Sequence, residues 1–528
     1  MRNDEDPTLN LLNHQIISAI VRDQAGRLTL PEVLARLGAG DEIEFPALRP
    51  HQSHPWHAFL VQLGALVAAR TGDDLARPAD AWRQALLELA GDAGEDAWTL
   101  VVEDTTRPAF FQVPVPKGEW GRYKPSAVTP DDLDVLITAK NHDVKRHLMA
   151  DSRPEHWVYA LVTLQTFQGY SGRGNFGVAR MNSGFGSRPG FAAAPGLGWA
   201  ERFRRDVKVW LETRDRLLGP GYEYEDGGHA LLWTFDWDGS RPRLPLADCD
   251  PFFVEVCRRV RLVVRGGRIA ALGAPSDKAF LDAKDRAGDT GDVWTPVHKA
   301  DDGPATALTV SPSGLSYRKL QEVLFSGEWK HHPALDVRLD DGPRPLVVAQ
   351  VMVRGQGKTE GYHERRIPVP EKGVGWLRKR ETRDLLGNFA KARVERVGDV
   401  QRGILKPALC ALLQGAPEDL DLRDDRPQRW LDRLDDAVDD VFFDDLWRDF
   451  DREAGVADAN WEGRLYDLAR AQLDDAKRSA PVPVARDYRA AATAEIVFEG
   501  AARNRLRHRF PPDLNEEGRA DDRTTTDA

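Results

Sequence analysis

The stretch QGYSGRGNFGVARMNSGFGSRPGF, residues 168–191, is the most informative part of this chain. It lies within 156–200, a run of 45 residues without aspartate or glutamate, whereas 84 of the 528 residues are acidic and the net charge is −11. Glycine allows positive φ and lets backbone N–H groups approach a ligand closely. Because Arg173, Arg180 and Arg188 are its only formal charges, the stretch predicts a phosphate or nucleic-acid surface.

The composition indicates a folded protein of several units rather than a membrane or secreted one. Hydrophobic residues make up 41% of the chain, and no apolar run approaches the 18 residues that a membrane span needs. Cys249, Cys257 and Cys410 form no CxxC pair, which favours buried thiols in a reducing compartment. The acidic beginning shows no signal-peptide pattern. We therefore expect a cytoplasmic protein without membrane contact.

The beginning of the chain reads as a strand, a turn and a helix. Residues 16–21 are rich in β-branched side chains, and 23–26 have turn composition. LTLPEVLARL follows, with Pro31 in the first turn of a predicted helix. From about 97 to 375 the pattern is irregular, with short strands, Pro/Gly turns and interspersed helices.

After Pro370 the pattern becomes helical. Four long periodic segments separated by short breaks fit an antiparallel four-helix bundle, at about 376–413, 428–452, 459–478 and 486–508. We predict an α+β protein, with an irregular mixed N-terminal globular domain (1–370) followed by the C-terminal bundle (376–508). The polar residues 509–528 have the composition of a disordered tail.

The segment 354–366, RGQGKTEGYHERR, directly follows an apolar strand pattern at 345–353. Its GKT invites a phosphate-loop interpretation, which needs a glycine at position 352 and a helix after Thr359. The chain has Met352, and strand-like residues follow. The pattern favours a β-hairpin whose tip is Gly355-Gln356-Gly357-Lys358. Eight basic against three acidic residues in 351–380 suit an anionic partner, although an ordinary solvated hairpin remains an alternative.

Other polar clusters are less specific. Lys140, Asn141 and His142 lie in a basic segment that suits a phosphate or an RNA end, and a capped helix start near Asn141 is an equal alternative. His51, His54 and His57 are three residues apart, but we expect Pro55 to break the helix that would align them. No catalytic motif occurs. We therefore predict no metal, no cofactor and no enzymatic activity.

In order along the chain, these features resemble the large subunit of the type I-E CRISPR Cascade complex, the CasA family. The opening Leu9-Asn10-Leu11-Leu12 with LPEVL, and the element Pro108-Ala109-Phe110-Phe111-Gln112, are similar to parts of that family. A polar loop at 136–146, the glycine-rich stretch, the hairpin ending in Glu364-Arg365-Arg366 and the helical bundle follow. The resemblance is collinear over about residues 9–508.

The resemblance implies a non-catalytic subunit that recognises the protospacer-adjacent motif of double-stranded target DNA, opens the duplex to start the R-loop, and helps recruit the helicase–nuclease. The implied DNA-binding glycine loop comprises Gly172, Arg173, Gly174, Asn175, Phe176 and Gly177. The implied wedge hairpin comprises Arg354, Gly355, Gln356, Gly357 and Lys358, with Gln356 as the wedge. A lysine that contacts the motif would be Lys284 or Lys278.

The family also implies contacts within an assembly. A loop comprising Thr138, Ala139, Lys140, Asn141 and His142 would anchor the subunit near the 5′ end of the guide RNA. The bundle would contact the displaced DNA strand and other Cascade subunits.

Two departures separate this chain from the family pattern. Many relatives carry paired cysteines for zinc between the glycine loop and the wedge, which are missing here, and the tip is rich in glycine rather than asparagine. Two alternatives stay open. One is a nucleotide-binding or phosphoryl-transfer enzyme using the glycine loop and Lys358, although 156–200 offer no acid for Mg²⁺. The other is a general nucleic-acid-binding scaffold.

Overall fold

The computed structural model describes residues 9–72, 74–134, 149, 152–167, 173–177, 180, 188–299, 305–330, 332–355, 358–481 and 487–511. The chain divides into two compact units. The first comprises Met1–Leu315 and Glu328–Val374, and the second comprises Ser316–Gly327 and Gly375–Ala528. None of the helices described is long and apolar enough to cross a membrane.

The first unit is a mixture of helices and short strands. Its helices are α1 (Leu30–Ala39), α2 (Ser53–Thr71), α3 (Ala79–Ala90), α4 (Pro130–Leu133), α5 (Pro154–Phe167) and α6 (Trp199–Leu218). Its strands are β1 (Ile17–Val21), β2 (Gln24–Leu28), β3 (Ile43–Glu44), β4 (Lys124–Ala127), β5 (Gly190–Ala194), β6 (His229–Leu231), β7 (Leu244–Pro245), β8 (Cys249–Val254), β9 (Arg259–Arg265), β10 (Arg268–Ala274), β11 (Leu281–Asp282), β12 (Val297–His298), β13 (Thr306–Ala307), β14 (Leu346–Gly355) and β15 (Lys358–Pro368).

The strands form several small sheets rather than one large one. Three sheets have three strands, with the orders β2-β1-β3, β4-β10-β9 and β15-β14-β5, and all their pairings are antiparallel. The remaining pairs are β11-β7 and β6-β8, which are parallel, and β12-β13, which is antiparallel. The irregular sequence pattern of this region corresponds to these short, separate pairings.

Helix α2 lies at the centre of the first unit. Nearly all its residues are buried, which matches a sequence that is apolar on every face. It packs on α5 and α6. A Cβ at Gly64 would lie 2.8 Å from the Phe203 ring and 2.9 Å from Val207, so this glycine permits the close approach of α6.

The strand, turn and helix at the start are confirmed, but the position of the predicted turn at 23–26 is wrong. β1 pairs with β2 through Val21 and Gln24, so the turn is Arg22-Asp23, both with positive φ (46° and 64°). Two-residue hairpin turns of this kind match the twist of the strands. Because the turn needs only Arg22 and Asp23, Gln24 is already the first residue of β2. Helix α1 begins with a capping box between Thr29 and Glu32.

The expected helix break at Pro55 is also wrong. Pro55 lies in the first turn of α2, which begins at Ser53. Backbone N–H groups in the first turn have no partner within the helix, so a proline costs nothing there. Among the residues described, no group of three or more His, Cys, Asp or Glu side chains is arranged to hold a metal.

The second unit is helical, as predicted, and the α+β fold class is confirmed. Its helices are α7 (Tyr317–Phe325), α9 (Arg380–Val400), α10 (Lys406–Leu413), α11 (Gln428–Asp449), α12 (Ala454–Ser479) and α13 (Asp487–Arg505). Helix α8 (Glu371–Arg378) contains the boundary between the units. A π-helical turn, Gln401–Leu405, joins α9 to α10 just before Pro407. The wider turn accommodates a proline that cannot donate a backbone hydrogen bond.

Helix α7 comes from an earlier part of the chain and packs with the other helices of the second unit. The Tyr317 hydroxyl donates to Asp435 of α11 at 2.8 Å, and Arg318 pairs with the same carboxylate at 2.9 Å. Gly387 of α9 lies so close to α7 that an added Cβ would be 2.7 Å from the Phe325 carbonyl oxygen. The sequence pattern did not indicate that α7 belongs to the helical unit, because the hairpin β14–β15 separates it from the other helices.

We expect Gly387→Ala to destabilise the second unit by about 1–3 kcal/mol, because the Cβ would collide with the α7 backbone. The matched control is Gly500→Ala in α13, where an added Cβ meets nothing within 4 Å. There alanine should stabilise by about 0.5–1 kcal/mol through helix propensity. Urea unfolding of both full-length variants measures the two changes. If both variants changed the free energy of unfolding in the same direction, α7 would not pack on α9 in solution.

Candidate nucleic-acid interface

The described part of the glycine loop, residues 173–177, contacts the two residues that follow β10, Pro275 and Ser276. The Ser276 N–H donates to the Gly174 carbonyl at 2.7 Å, and the Phe176 N–H donates to the Ser276 carbonyl at 3.4 Å. Gly174 has φ +80°, and an added Cβ would lie 3.3 Å from the Pro275 Cβ. Pro275 and Ser276 therefore form a platform that sequence reasoning missed, and a left-handed glycine allows the loop to fit it.

The exposure of the loop residues differs along the segment. Arg173 and Asn175 are exposed, Gly174 and Phe176 are half-buried, and Gly177 is buried. The loop therefore presents one cationic and one amide side chain, which flank a backbone accessible at Gly174. Gly172 lies outside the described residues.

The predicted hairpin is present as β14 and β15. Their register pairs Leu346 with Pro368 at one end and Gly355 with Lys358 at the other, which leaves a two-residue connection. An irregularity between Val353 and Arg354 bulges the pairing near the tip, which increases local twist. Gln356 and Gly357 of the expected wedge lie outside the described residues.

The hairpin contradicts the geometry of a phosphate-binding loop. Thr359 lies in β15, which pairs antiparallel with β14. A nucleotide phosphate loop instead needs a helix whose N-terminus follows the GKT sequence. Lys358 and Thr359 therefore lack the structural context of the phosphoryl-transfer alternative.

The glycine-rich stretch and the hairpin are connected through one sheet. β5 begins at Gly190, the last residue but one of the glycine-rich stretch 168–191, and pairs antiparallel with β14 from Gln350 to Leu346. Gly355 follows Gln350 by five positions in β14, which at about 3.3 Å per residue places the tip roughly 17 Å further along. The end of the glycine-rich stretch and the hairpin therefore belong to one sheet.

The structure corrects the interpretation of Arg180 and Arg188 as phosphate-binding residues. Both side chains are completely buried. Arg180 pairs with Glu255 at 3.2 Å and donates to the carbonyl oxygens of Pro251 and Phe253. The expectation failed because acidic residues that are distant in the sequence, such as Glu255, lie beside the acid-free stretch in the folded protein.

Arg188 is the better-paired member of this cluster. Its Nε donates to Asp292 at 2.5 Å, and its Nη1 donates to Gln62 at 3.2 Å. The Arg188 guanidinium lies 5.3 Å from the Trp294 ring centre. Although burial favours their neutral forms, the attraction of each charge for the other raises the pKa of Arg188 and lowers that of Asp292. The cluster anchors the chain on both sides of 181–187.

The two lysine candidates occupy different positions. Both are exposed. The Lys278 N–H donates to the Gly239 carbonyl at 3.1 Å, two residues beyond Ser276 on the platform. Lys284 begins a 3₁₀ turn, Lys284–Arg286, after β11. Chain connectivity therefore brings Lys278 closer to the glycine loop than Lys284.

The remaining polar candidates do not form a second site among the described residues. His51 contacts Asp134 at 2.8 Å, and His57 contacts Asp206 at 2.8 Å. His54 is buried between the rings of Phe167 and Trp294, and burial lowers its pKa. Cys249 and Cys257 are buried, and burial raises the pKa of each thiol to about 12. The anchoring segment Thr138–His142 lies outside the described residues.

The comparisons with known proteins concern the fold alone. No family model matches the chain, and no curated protein sequence matches it. A crystal structure of CasA from Thermus thermophilus superposes with a TM-score of 0.64 at 16% identity, covering 94% of this chain and 99% of that one. The structure of Cse1 from Thermobifida fusca superposes with a TM-score of 0.60 at 14% identity, covering 96% of this chain and 100% of that one. The structure of Cse1 from Acidimicrobium ferrooxidans superposes with a TM-score of 0.59 at 14% identity, covering 96% of this chain and 99% of that one. The chain therefore has the fold of the CasA (Cse1) proteins.

Proposed function

We propose that this chain is the non-catalytic large subunit of a type I-E CRISPR Cascade complex. It recognises the protospacer-adjacent motif in double-stranded DNA, opens the duplex to begin R-loop formation and helps recruit the helicase–nuclease. The observation that carries the proposal is the link between the glycine-rich stretch and the hairpin through β5 and β14, within a fold shared with CasA over 94% of the chain.

The glycine loop acts as the motif reader. Arg173 and Asn175 are exposed on either side of Gly174, whose backbone can approach a groove closely. The minor groove presents a degenerate pattern of acceptors, so readout by backbone and short polar groups is permissive. Lys278 is the lysine that we assign to the motif, because it follows the loop's platform directly.

The hairpin acts as the opening device, with Gln356 between the strand ends at its tip. Separating the first base pairs costs a few kcal/mol, and insertion of a side chain between base steps supplies part of it. Pairing with the guide RNA then carries the sequence specificity. The segment Thr138–His142 contacts the 5′ end of that RNA, and the bundle contacts the displaced strand and other Cascade subunits.

We expect Gln356→Ala to slow R-loop formation on a fully paired target by roughly ten- to a hundredfold. The reason is that the glutamine side chain no longer offsets the free energy needed to separate the first base pairs. On a target already unpaired beside the motif the same variant should be close to wild type. Stopped-flow measurement of R-loop formation by the assembled complex, with paired and pre-melted targets side by side, gives both rates.

The matched control is Gln84→Ala, which removes a glutamine side chain that is exposed on helix α3. It should leave both rates unchanged. Equal losses on paired and pre-melted targets would mean that Gln356 reads or positions the DNA and does not open it. No loss on either target would refute the wedge.

A further inference from the structure

A second basic surface lies on the sheet β4-β10-β9. The connection between β9 and β10 is Gly266-Gly267, both with positive φ (60° and 73°), which is the conformation of a tight two-residue hairpin. This connection places Arg265 directly opposite Arg268. Like charges that face each other across a hairpin destabilise it. An anion bound between Arg265 and Arg268 would therefore reduce the repulsion between them.

The same face of β9 carries further positive charge. Alternate residues of a strand share a face, so Arg259 and Arg261 lie on the side of Arg265. Arg261 is buried and donates to the carbonyl oxygens of Val102 and Asp104, without an ion pair among the described residues. Burial lowers its pKa to about 10, so it stays cationic at neutral pH. This charge adds to the positive potential of the face.

A turn next to β4 extends the surface. Lys117 and Arg122 are exposed, and the exposed Trp120 ring stacks on Tyr123 with centres 5.7 Å apart. The acid in this turn, Glu119, is already paired with Arg122 and with Arg259, each at 3.1 Å. In 115–128 and 259–278 together, eight basic residues stand against two acidic ones.

This surface begins at the glycine loop. Arg259 donates to the carbonyl of Pro275 at 3.0 Å, which is the residue that Gly174 packs against. The tip residue Arg268 is at the other end of β10, seven residues from Pro275, which at about 3.3 Å each is roughly 23 Å. That length matches about seven base pairs at 3.4 Å each.

We propose that these exposed cations bind phosphates of the target duplex on the flank of the motif that the guide does not pair with. The inference rests on the proposed function, since the glycine loop sets where the flank begins. Arg265 with Arg268 share a phosphate about seven base pairs from the motif. Guanidinium groups suit this role because they bind phosphate bidentately.

The test is duplex affinity as a function of flank length. Full-length chain, alone and in the assembled complex, is titrated with motif-bearing duplexes whose flank is about three or about ten base pairs, one shorter and one longer than the roughly seven expected. Wild type should bind the long flank about tenfold more tightly at low salt. Arg265→Gln/Arg268→Gln should remove this gain and reduce the slope of log affinity against log salt by about 1, because the two arginines neutralise one shared phosphate.

Arg344→Gln is the matched control, because it removes an exposed arginine just before β14, outside this sheet. It should keep the gain. The double variant should fold normally, since it relieves the repulsion between facing arginines.

Three results would overturn the inference. One is an unchanged gain in the double variant, and another is an equal loss on short and long flanks. The third is defective assembly of the complex with unchanged duplex binding, which would assign the surface to an acidic protein partner. Gly174→Asp separates failure of this inference from failure of the proposed function. If Gly174→Asp spares motif dependence, the proposed function fails. If Gly174→Asp abolishes motif dependence but Arg265→Gln/Arg268→Gln keeps the flank gain, only the present inference fails.

Discussion

Replacing Gly174 with aspartate should abolish motif-dependent binding of duplex DNA by the assembled complex. The substitution places a carboxylate between the exposed Arg173 and Asn175, where the proposed interface meets the DNA. Opposing like charges cost several kcal/mol, and each 1.4 kcal/mol is tenfold in affinity, so the loss should be on the order of a hundredfold or more. Gel-shift titration with motif-bearing and motif-lacking duplexes measures it.

Two further variants separate charge from shape. Gly174→Asn has the same bulk without the charge and tolerates φ +80°, so its loss should be smaller than that of aspartate. Gly227→Asp adds the same charge at another left-handed glycine, with φ +73° and open space around it. It should bind normally. Wild-type binding by Gly174→Asp would remove the glycine loop from the interface.

Replacing Arg188 with alanine should destabilise the first unit by about 3–5 kcal/mol. The variant leaves the buried Asp292 without its cation and removes one of the two arginines beside the buried Glu255. Urea unfolding followed by tryptophan fluorescence measures the loss, since Trp294 lies beside the cluster.

The matched control for this cluster is Arg173→Ala, an exposed arginine of the same stretch. Its unfolding free energy should change by less than about 0.5 kcal/mol. The slope of log DNA affinity against log salt should fall by about 1, which corresponds to one lost phosphate contact. The reverse pattern, with stability retained in Arg188→Ala and the salt dependence reduced, would restore Arg188 as a phosphate ligand.

Local sequence patterns were sufficient for the elements whose stability is local. Thr29, Pro31 and Glu32 specify the start of α1, because they satisfy free N–H groups within one turn. The apolar run at 345–353 followed by a glycine-rich tip specifies the hairpin. The helical periodicity after Pro370 specifies the C-terminal helices. The short strands, Pro/Gly turns and interspersed helices before it specify a unit of mixed α and β structure.

The tertiary structure alone decided which charges face solvent and which neighbours the elements have. Arg173 and Arg188 lie 15 positions apart in one acid-free stretch, yet one is exposed and the other pairs with Asp292, 104 residues later. Helix α7 joins helices that follow it by more than 50 residues, and the glycine loop rests on Ser276. Burial and ion pairing depend on contacts between distant segments, which composition and periodicity do not encode.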